Sequence, residues 1–186
     1  MIESRRIHPA WIVLGALAIC MLASSGLRAV FGVFIKPMEA EFGWSRSALS
    51  GAAAVSLLVL GAVGPLAGRL ADRWGPRRVI GISLILLTVG AIGSAFINSL
   101  WQLYLMAGVV MAVGAGGVNM STGAAVVARW FEARRGLVMG VVGGAMSAGQ
   151  LVVIPLAAAL TFWFGWRTSY LTLGVALPLL ILPVAI

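Results

Sequence analysis

Acidic residues are scarce in this chain, where five Asp and Glu residues stand against thirteen Lys and Arg residues. His8 is the only histidine and Cys20 the only cysteine, so the sequence offers no disulfide framework and no residue spacing suited to a metal ion. The acidic residues lie in terminal or loop positions, and no Gly-x-Ser-x-Gly nucleophile motif occurs. We therefore expect no enzyme activity, no metal and no cofactor.

Polar residues are also too few to cover a soluble domain, because 61% of the residues are hydrophobic and the mean hydropathy is +1.07. The net charge of +8 is compatible with a nucleic-acid partner. However, the basic residues form short clusters between apolar runs and make no continuous basic stripe. The sequence therefore indicates an integral membrane protein and excludes a nucleic-acid partner.

Long apolar runs are what the sequence contains instead, each near or above the roughly 20 residues that cross a bilayer as a helix. Charged or turn-rich breaks separate the runs. Ser45 or Ser47, Pro76 and Gly165 stand where helices are expected to begin. The pattern predicts an all-α integral membrane fold with six transmembrane helices, near 10–35, 47–69, 77–97, 101–127, 136–160 and 166–186.

The basic residues are distributed unequally between the two sets of loops, with nine on one side and three on the other. The richer side is expected to be cytoplasmic, in a plasma or inner membrane, and it includes the N-terminus. Four tryptophans then fall at the outer interface, namely Trp44, Trp101, Trp163 and Trp166. The nine inner residues are Arg5, Arg6, Arg69, Arg73, Arg77, Arg78, Arg129, Arg134 and Arg135, and the three outer ones are Lys36, Arg46 and Arg167.

Glycine is abundant, with 24 residues that fall mostly within the predicted helices. Gly136, Gly140 and Gly144 recur every fourth residue on one face of the fifth helix, and Gly64 and Gly68 do so on the second. Such faces let helices pack closely. They are equally consistent with helices that slide and tilt in a moving protein.

A charged turn between the second and third predicted helices has the sequence GRLADRWGPRRV, at 68–79. This turn resembles the signature of the major facilitator superfamily, which lies in a short cytoplasmic turn at the same place. The residues that match the signature are Gly68, Asp72, Arg73, Gly75, Arg77 and Arg78.

The resemblance implies both a fold and a role for the turn. Facilitators consist of two six-helix halves, each a 3+3 inverted repeat, so we expect residues 1–186 to be an N-terminal half whose partner is a C-terminal half. The signature cluster, with Glu132 and Arg134 on the other inner turn, is expected to hold the cytoplasmic side in one conformation during alternating access. The alternative is that its arginines only mark a cytoplasmic loop.

Two further strings, AVFGVFIKPMEAEFGWSRS at 29–47 and NMSTGAAVVARWFEARRGLVMG at 119–140, are similar to those of monocarboxylate and oxalate/formate porters. This finer resemblance implies transport of a small organic anion. The fourth predicted helix has Gly108, Val109 and Val110 where many sugar and drug facilitators carry an arginine. No acidic residue lies within a predicted span, so a carboxylate proton relay is not expected in this half.

Arg28 is a charge within the first predicted helix, about 10 Å from the outer end of that helix. An arginine at this depth costs about 2.5 to 3.5 kcal/mol on insertion scales, so it tends to face a cavity or an anion. We expect Arg28 to attract the anion while Ser24 and Ser25 offer hydroxyl groups. The alternative is that its side chain reaches the outer headgroups.

Further candidates for the lining of a substrate cavity are Asn119 and Thr122 on the fourth predicted helix, and Ser147 and Gln150 on the fifth. Interhelical hydrogen bonding is their alternative role.

Taken together, these patterns predict a secondary active transporter that moves a monocarboxylate-like anion, with coupling to an ion for which protons are one candidate. A facilitator for another small solute is one alternative. A non-transporting receptor or scaffold with the same fold is the other, and substrate-dependent flux distinguishes it from a transporter.

Overall fold

The first helical segment is longer than the sequence predicts. The computed structural model describes residues 9–131 and 135–185, with side chains from 11 to 131 and from 135 to 176. Helix α1 (Pro9–Ala29) continues through a break at Val30 into α2 (Phe31–Phe42), and together they contain one candidate membrane-spanning segment, Trp11–Phe42. The helix therefore ends at Phe42 and not near residue 35 as predicted. The next residue, Gly43, has a φ of 66°, which ends the helix.

The spacing of apolar residues explains the extension. Phe34 and Met38 are fully buried one turn apart, and the partly buried Phe42 follows four residues later. This stripe keeps the helix packed past Lys36, whose charge we expected to lie outside the span. Lys36 itself is exposed on the other face.

Helices α3 (Arg46–Trp74) and α4 (Pro76–Ala95) flank the charged turn. Ser45 caps α3, as predicted, because its hydroxyl accepts a hydrogen bond from the Ala48 backbone N–H at 3.3 Å. Gly75 adopts a φ of 88°, which a residue with a side chain rarely does, and Pro76 occupies the first turn of α4 without loss of a donor. One residue therefore separates the two helices.

The fourth predicted helix, expected to run unbroken from 101 to 127, is interrupted twice. A π-helical stretch lies near its start, where the Tyr104 hydroxyl donates to the Ala48 carbonyl oxygen at 2.9 Å. Residues 118 and 119 then leave the helical conformation. The pieces are α5 (Leu100–Leu103), the π-helix (Tyr104–Val110), α6 (Met111–Gly117) and α7 (Met120–Trp130).

The last two predicted helices run together as α8 (Arg135–Ala185). One residue inside α8, Gly165, has non-helical angles, with φ 81° and ψ 163°. Gly165 was expected to precede the sixth helix, and it marks the junction between the two predicted helices. Its positive φ is readily adopted by glycine and is strained in other residues.

Close backbone contacts join the helices of the core. Both α1 and α4 pack along α8, and α3 and α4 pack against α6. A side chain added at Gly114 would lie 2.6 Å from the Ser83 carbonyl oxygen, and one at Gly90 would lie 2.7 Å from the Met111 backbone nitrogen. Glycine at these positions therefore lets α4 and α6 touch backbone to backbone.

The predicted glycine face of the fifth helix is not a packing surface among the described residues. Gly136, Gly140 and Gly144 are all exposed, and a side chain added at any of them would meet nothing within 4 Å. The residues that bury α8 against α1 lie on another face. This glycine face is thus open in the chain as described.

Five helical segments of the described ranges are long and apolar enough to cross a membrane. The chain is therefore an all-helical protein of the membrane type. The five segments are Trp11–Phe42, Arg46–Trp74, Pro76–Ala95, Leu100–Trp130 and Arg135–Ala176.

Candidate functional site

Two glycines bring α1 and α8 into close contact. A side chain at Gly26 would lie 2.8 Å from the Gly149 carbonyl oxygen, and one at Gly149 would clash with the Leu22 carbonyl oxygen. This crossing places Ser25 beside Gln150, whose Nε2 donates to the Ser25 Oγ at 3.0 Å. The interhelical hydrogen bond that was the alternative role for Gln150 is therefore present.

Arg28 lies on α1 almost one turn beyond Ser25. Its side chain is half-buried, and it forms no hydrogen bond or ion pair with any residue of the described ranges. Arg28 lies 17 residues, or about 25 Å, past Trp11 and eight residues, or about 12 Å, before Lys36, the next charged side chain of this helical segment. Contact of the Arg28 side chain with the headgroups is therefore still the alternative to a cavity or an anion.

Buried hydroxyl groups accompany Arg28 on α1. Ser24 is 2% exposed and Ser25 is 4% exposed. The structure therefore brings Ser24, Ser25 and Gln150 to the helix crossing next to Arg28. We refer to Ser24, Ser25, Arg28 and Gln150 as the Arg28 cluster.

Asn119 lies at the break in the fourth segment, where its role differs from that of the Arg28 cluster. Its Oδ1 accepts hydrogen bonds from the backbone N–H groups of Ser121 at 2.9 Å and Thr122 at 3.2 Å, which caps α7. Its Nδ2 lies over α3, where a side chain at Gly64 would be 2.8 Å away. Asn119 therefore fixes the start of α7. Its contact with substrate stays a prediction, which this capping role does not exclude.

Thr122, another candidate for the cavity lining, lies on α7 three residues after Asn119. Its side chain is fully buried, and its Oγ1 has no hydrogen-bond partner within the described ranges. The interhelical hydrogen bond that was its alternative role is therefore not found among the described residues.

The charged turn is exposed between the end of α3 and the start of α4. The side chains of Asp72, Arg73, Arg77 and Arg78 are exposed, and the Asp72 carboxylate makes no hydrogen bond or ion pair with a described residue. At Gly68 an added side chain would lie 3.6 Å from the Ser121 Cβ, which is ordinary contact. The close approach expected at Gly68 is found instead at Gly64.

Arg129 connects the end of α7 to the end of α3, a contact that the sequence did not predict. Its guanidinium donates to the carbonyl oxygens of Ala71 at 3.4 Å and Asp72 at 3.2 Å, at the C-terminal end of α3. A cation is favoured at this end of a helix. Glu132 and Arg134, the predicted partners of the signature cluster, lie outside the described residues.

A second polar cluster lies at the opposite ends of the helices. Arg167 forms an ion pair with Glu41, and the Trp166 Nε1 donates to the Glu41 Oε2 at 2.6 Å. The Arg167 guanidinium also donates to the Ile97 carbonyl oxygen at 3.3 Å and lies 4.6 Å from the centre of the Trp166 ring. The end of α2, the α4 to α5 connection and the residues after Gly165 are joined here.

A short recurrence in the sequence is a weak signal for this second cluster. The strings FGWSRS at 42–47 and FGWRTS at 164–169 each have an aromatic residue, a glycine, a tryptophan and an arginine. The two strings show that similar residues recur, but they do not predict the ion pair between Glu41 and Arg167. In the described residues no group of three or more His, Cys, Asp and Glu side chains could hold a metal ion.

Known proteins share both the sequence and the fold of this chain. The family model of the Major Facilitator Superfamily matches residues 17–186. The chain is 30% identical to monocarboxylate transporter 3 of Rattus norvegicus over 164 residues, which cover 88% of this chain and 33% of that protein. It is 31% identical to monocarboxylate transporter 11 of Mus musculus over 165 residues, which cover 88% and 36%. The chain therefore spans about a third of the length of these curated relatives.

Solved structures show the same helical arrangement. The proton:xylose symporter XylE bound to 6-bromo-6-deoxy-D-glucose matches with a TM-score of 0.79 at 18% identity, over 94% of this chain and 44% of that chain. The inward open conformation of XylE from E. coli matches with a TM-score of 0.78. This likeness concerns the fold alone. The chain belongs to the major facilitator superfamily, a family of multi-pass membrane transporters.

Proposed function

We propose that this chain is part of a secondary active transporter that moves a small, monocarboxylate-like anion by alternating access, with coupling to an ion such as a proton. The observation that carries the proposal is the half-buried Arg28 within a candidate membrane-spanning helix, without an ionic partner in the described ranges. The names of the mammalian relatives support the same class of substrate.

An arginine in hydrocarbon is costly unless its charge is solvated or neutralised. Apart from the headgroups about 12 Å away near Lys36, the environments open to the Arg28 charge are a water-filled cavity and an anion. Both are supplied by the central cavity of a facilitator. A carboxylate would be held by charge-assisted hydrogen bonds from the guanidinium.

The neighbours of Arg28 have supporting roles in this proposal. The hydroxyls of Ser24 and Ser25 donate towards the anion, and Gln150 holds Ser25 in position through their hydrogen bond. Asn119 contributes Nδ2 and fixes the broken helix, since its Oδ1 is occupied by capping. Broken helices with polar caps commonly line the cavities of transporters.

The charged turn would control the inner side of the cavity. In this proposal Gly75 supplies the turn, while Asp72 and the arginines of the signature form changing ion pairs with Glu132 and Arg134. The contact of Arg129 with the end of α3 supports a connection between the two inner turns. The signature residues assigned to this gate are Gly68, Asp72, Arg73, Gly75, Arg77 and Arg78.

The proposed topology has six crossings and a cytoplasmic N-terminus, in a plasma or inner membrane. The apolar part of α8 covers 42 residues, or about 63 Å, which is twice the hydrocarbon thickness of about 30 Å. A reversal at Gly165 would divide it into two crossings. The open glycine face at Gly136, Gly140 and Gly144 would then be available to a second six-helix half.

Binding of a carboxylate to the purified chain in lipid nanodiscs tests the anion site. We expect lactate to give a saturation-transfer NMR signal that xylose does not give. Arg28→Gln should weaken lactate binding by about 10-fold to 100-fold, because a hydrogen bond to a charged group contributes about 1.5 to 3 kcal/mol.

Arg46→Gln is the matched control, because Arg46 is exposed at the start of α3 and its loss changes the net charge equally. Arg28→Lys should keep part of the affinity, since it retains the charge and loses the planar fork. Lactate binding by Arg28→Gln at wild-type affinity would refute the proposal. A signal with xylose and none with lactate would favour a transporter of another solute.

A further inference from the structure

The inner end of α3 carries a groove of about 530 Å³ beside the charged turn. Its lining residues are Leu66, Arg69, Leu70, Asp72 and Arg73. Arg69 is not among the residues that match the family signature, and it has no role in the proposed substrate site. The groove therefore shares Asp72 and Arg73 with the proposed gate and adds Arg69, whose charge needs its own explanation.

The two arginines of the groove are placed to act together. Arg69 and Arg73 are four residues apart on α3, so their Cβ atoms lie about 6 Å from each other on one face of the helix. Both are exposed, and neither forms a hydrogen bond or an ion pair with a residue of the described ranges. The spacing lets both guanidinium groups contact one phosphate.

Apolar residues continue the same face towards the membrane interior. Leu66 and Leu70 precede the arginines by one turn each, and they are 53% and 36% exposed. Trp74, 56% exposed, stands at the end of the apolar segment Arg46–Trp74, as expected for a residue at headgroup depth. Along α3 the order is Leu66, Arg69, Leu70 and Arg73, so the apolar end of the groove is at Leu66 and the cationic end is at Arg73.

We propose that this groove binds an anionic phospholipid, with the phosphate on Arg69 and Arg73 and an acyl chain along Leu66 and Leu70. A free phosphate has no apolar part that could contact the two leucines. The headgroup must carry net negative charge, because the positive group of a zwitterionic lipid would offset the attraction between its phosphate and the arginines. Asp72, in the same lining, opposes the binding.

Titration of the purified chain with phosphatidylglycerol, measured by native mass spectrometry from detergent, tests this proposal. Each of Arg69→Gln and Arg73→Gln should weaken binding about fivefold, and the double variant should weaken it about 30-fold. Asp72→Asn should tighten it, because the opposing charge is removed. Arg78→Gln, which removes the same charge from the same turn outside the groove, should have little effect.

Phosphatidylcholine and glycerol 3-phosphate should both bind weakly, since the first lacks net charge and the second lacks acyl chains. Equal binding of phosphatidylglycerol and phosphatidylcholine would overturn the proposal. So would equal weakening by Arg78→Gln, or weaker binding in Asp72→Asn. Thermal unfolding of each variant, followed by circular dichroism, separates a lost lipid site from a lost fold.

Discussion

Arg167 and Glu41 show how single side chains can join three parts of this membrane protein. Their ion pair is partly exposed, with 37% and 38% of the two side chains accessible, so the pair alone contributes little. Arg167 also donates to the Ile97 carbonyl oxygen and lies over the Trp166 ring. We therefore expect most of the stabilising effect of Arg167 to come from these two further contacts, which the planar guanidinium group can make at the same time.

We expect Arg167→Lys to lower the free energy of unfolding by about 1 to 2 kcal/mol, because lysine keeps the charge and cannot keep all these contacts. Glu41→Gln should lower it by about 1 kcal/mol, since the Trp166 Nε1 can still donate to the amide oxygen. Unfolding in mixed detergent micelles, followed by circular dichroism, measures both. A larger effect of Glu41→Gln than of Arg167→Lys would contradict this order.

Local residue roles could be predicted from the sequence, whereas contacts between distant residues could not. The cap at Ser45 and the turn at Gly75 and Pro76 depend on neighbours within four residues, so their chemistry is visible in the chain. Glu41 and Arg167 are 126 positions apart. Their pairing depends on how α2 and α8 pack, and neither residue type nor spacing contains that information.

At the level of the helices, hydropathy predicted where the apolar segments lie and missed how they are interrupted. The fourth segment has a high average hydropathy, and an average over its residues cannot reveal the π-helix or the break at residues 118 and 119. The cause of the break is local. Asn119 can cap a helix with its own side chain, and this competes with helix continuation.

Two glycines on α8 allow a matched test of helix packing. Gly149→Ala should destabilise the chain by about 1 to 3 kcal/mol, because its Cβ would clash with the Leu22 carbonyl oxygen of α1. Gly144→Ala should be neutral or slightly stabilising, because its Cβ would meet nothing within 4 Å and alanine favours helix. Thermal unfolding in detergent compares the two variants. Equal destabilisation would contradict the packing described for this helix.

At the level of the whole molecule, composition and the charged turn were sufficient to predict the class of fold. They could not reveal which glycines pack against described residues. The stripe at Gly136, Gly140 and Gly144 has the same spacing as a packing face, yet it is exposed. Spacing shows that a helix could approach closely, and only the full arrangement of helices shows whether one does.

The open glycine face leads to a prediction about activity. Since the chain spans about a third of its curated relatives and leaves this face exposed, we expect the purified 186-residue chain in proteoliposomes to show no uptake of labelled lactate. Alternating access needs two halves that move about a shared cavity. Lactate binding in nanodiscs without uptake in proteoliposomes would therefore be the expected pair of results. Saturable uptake that Arg28→Gln abolishes would instead mean that copies of this chain complete the cavity themselves.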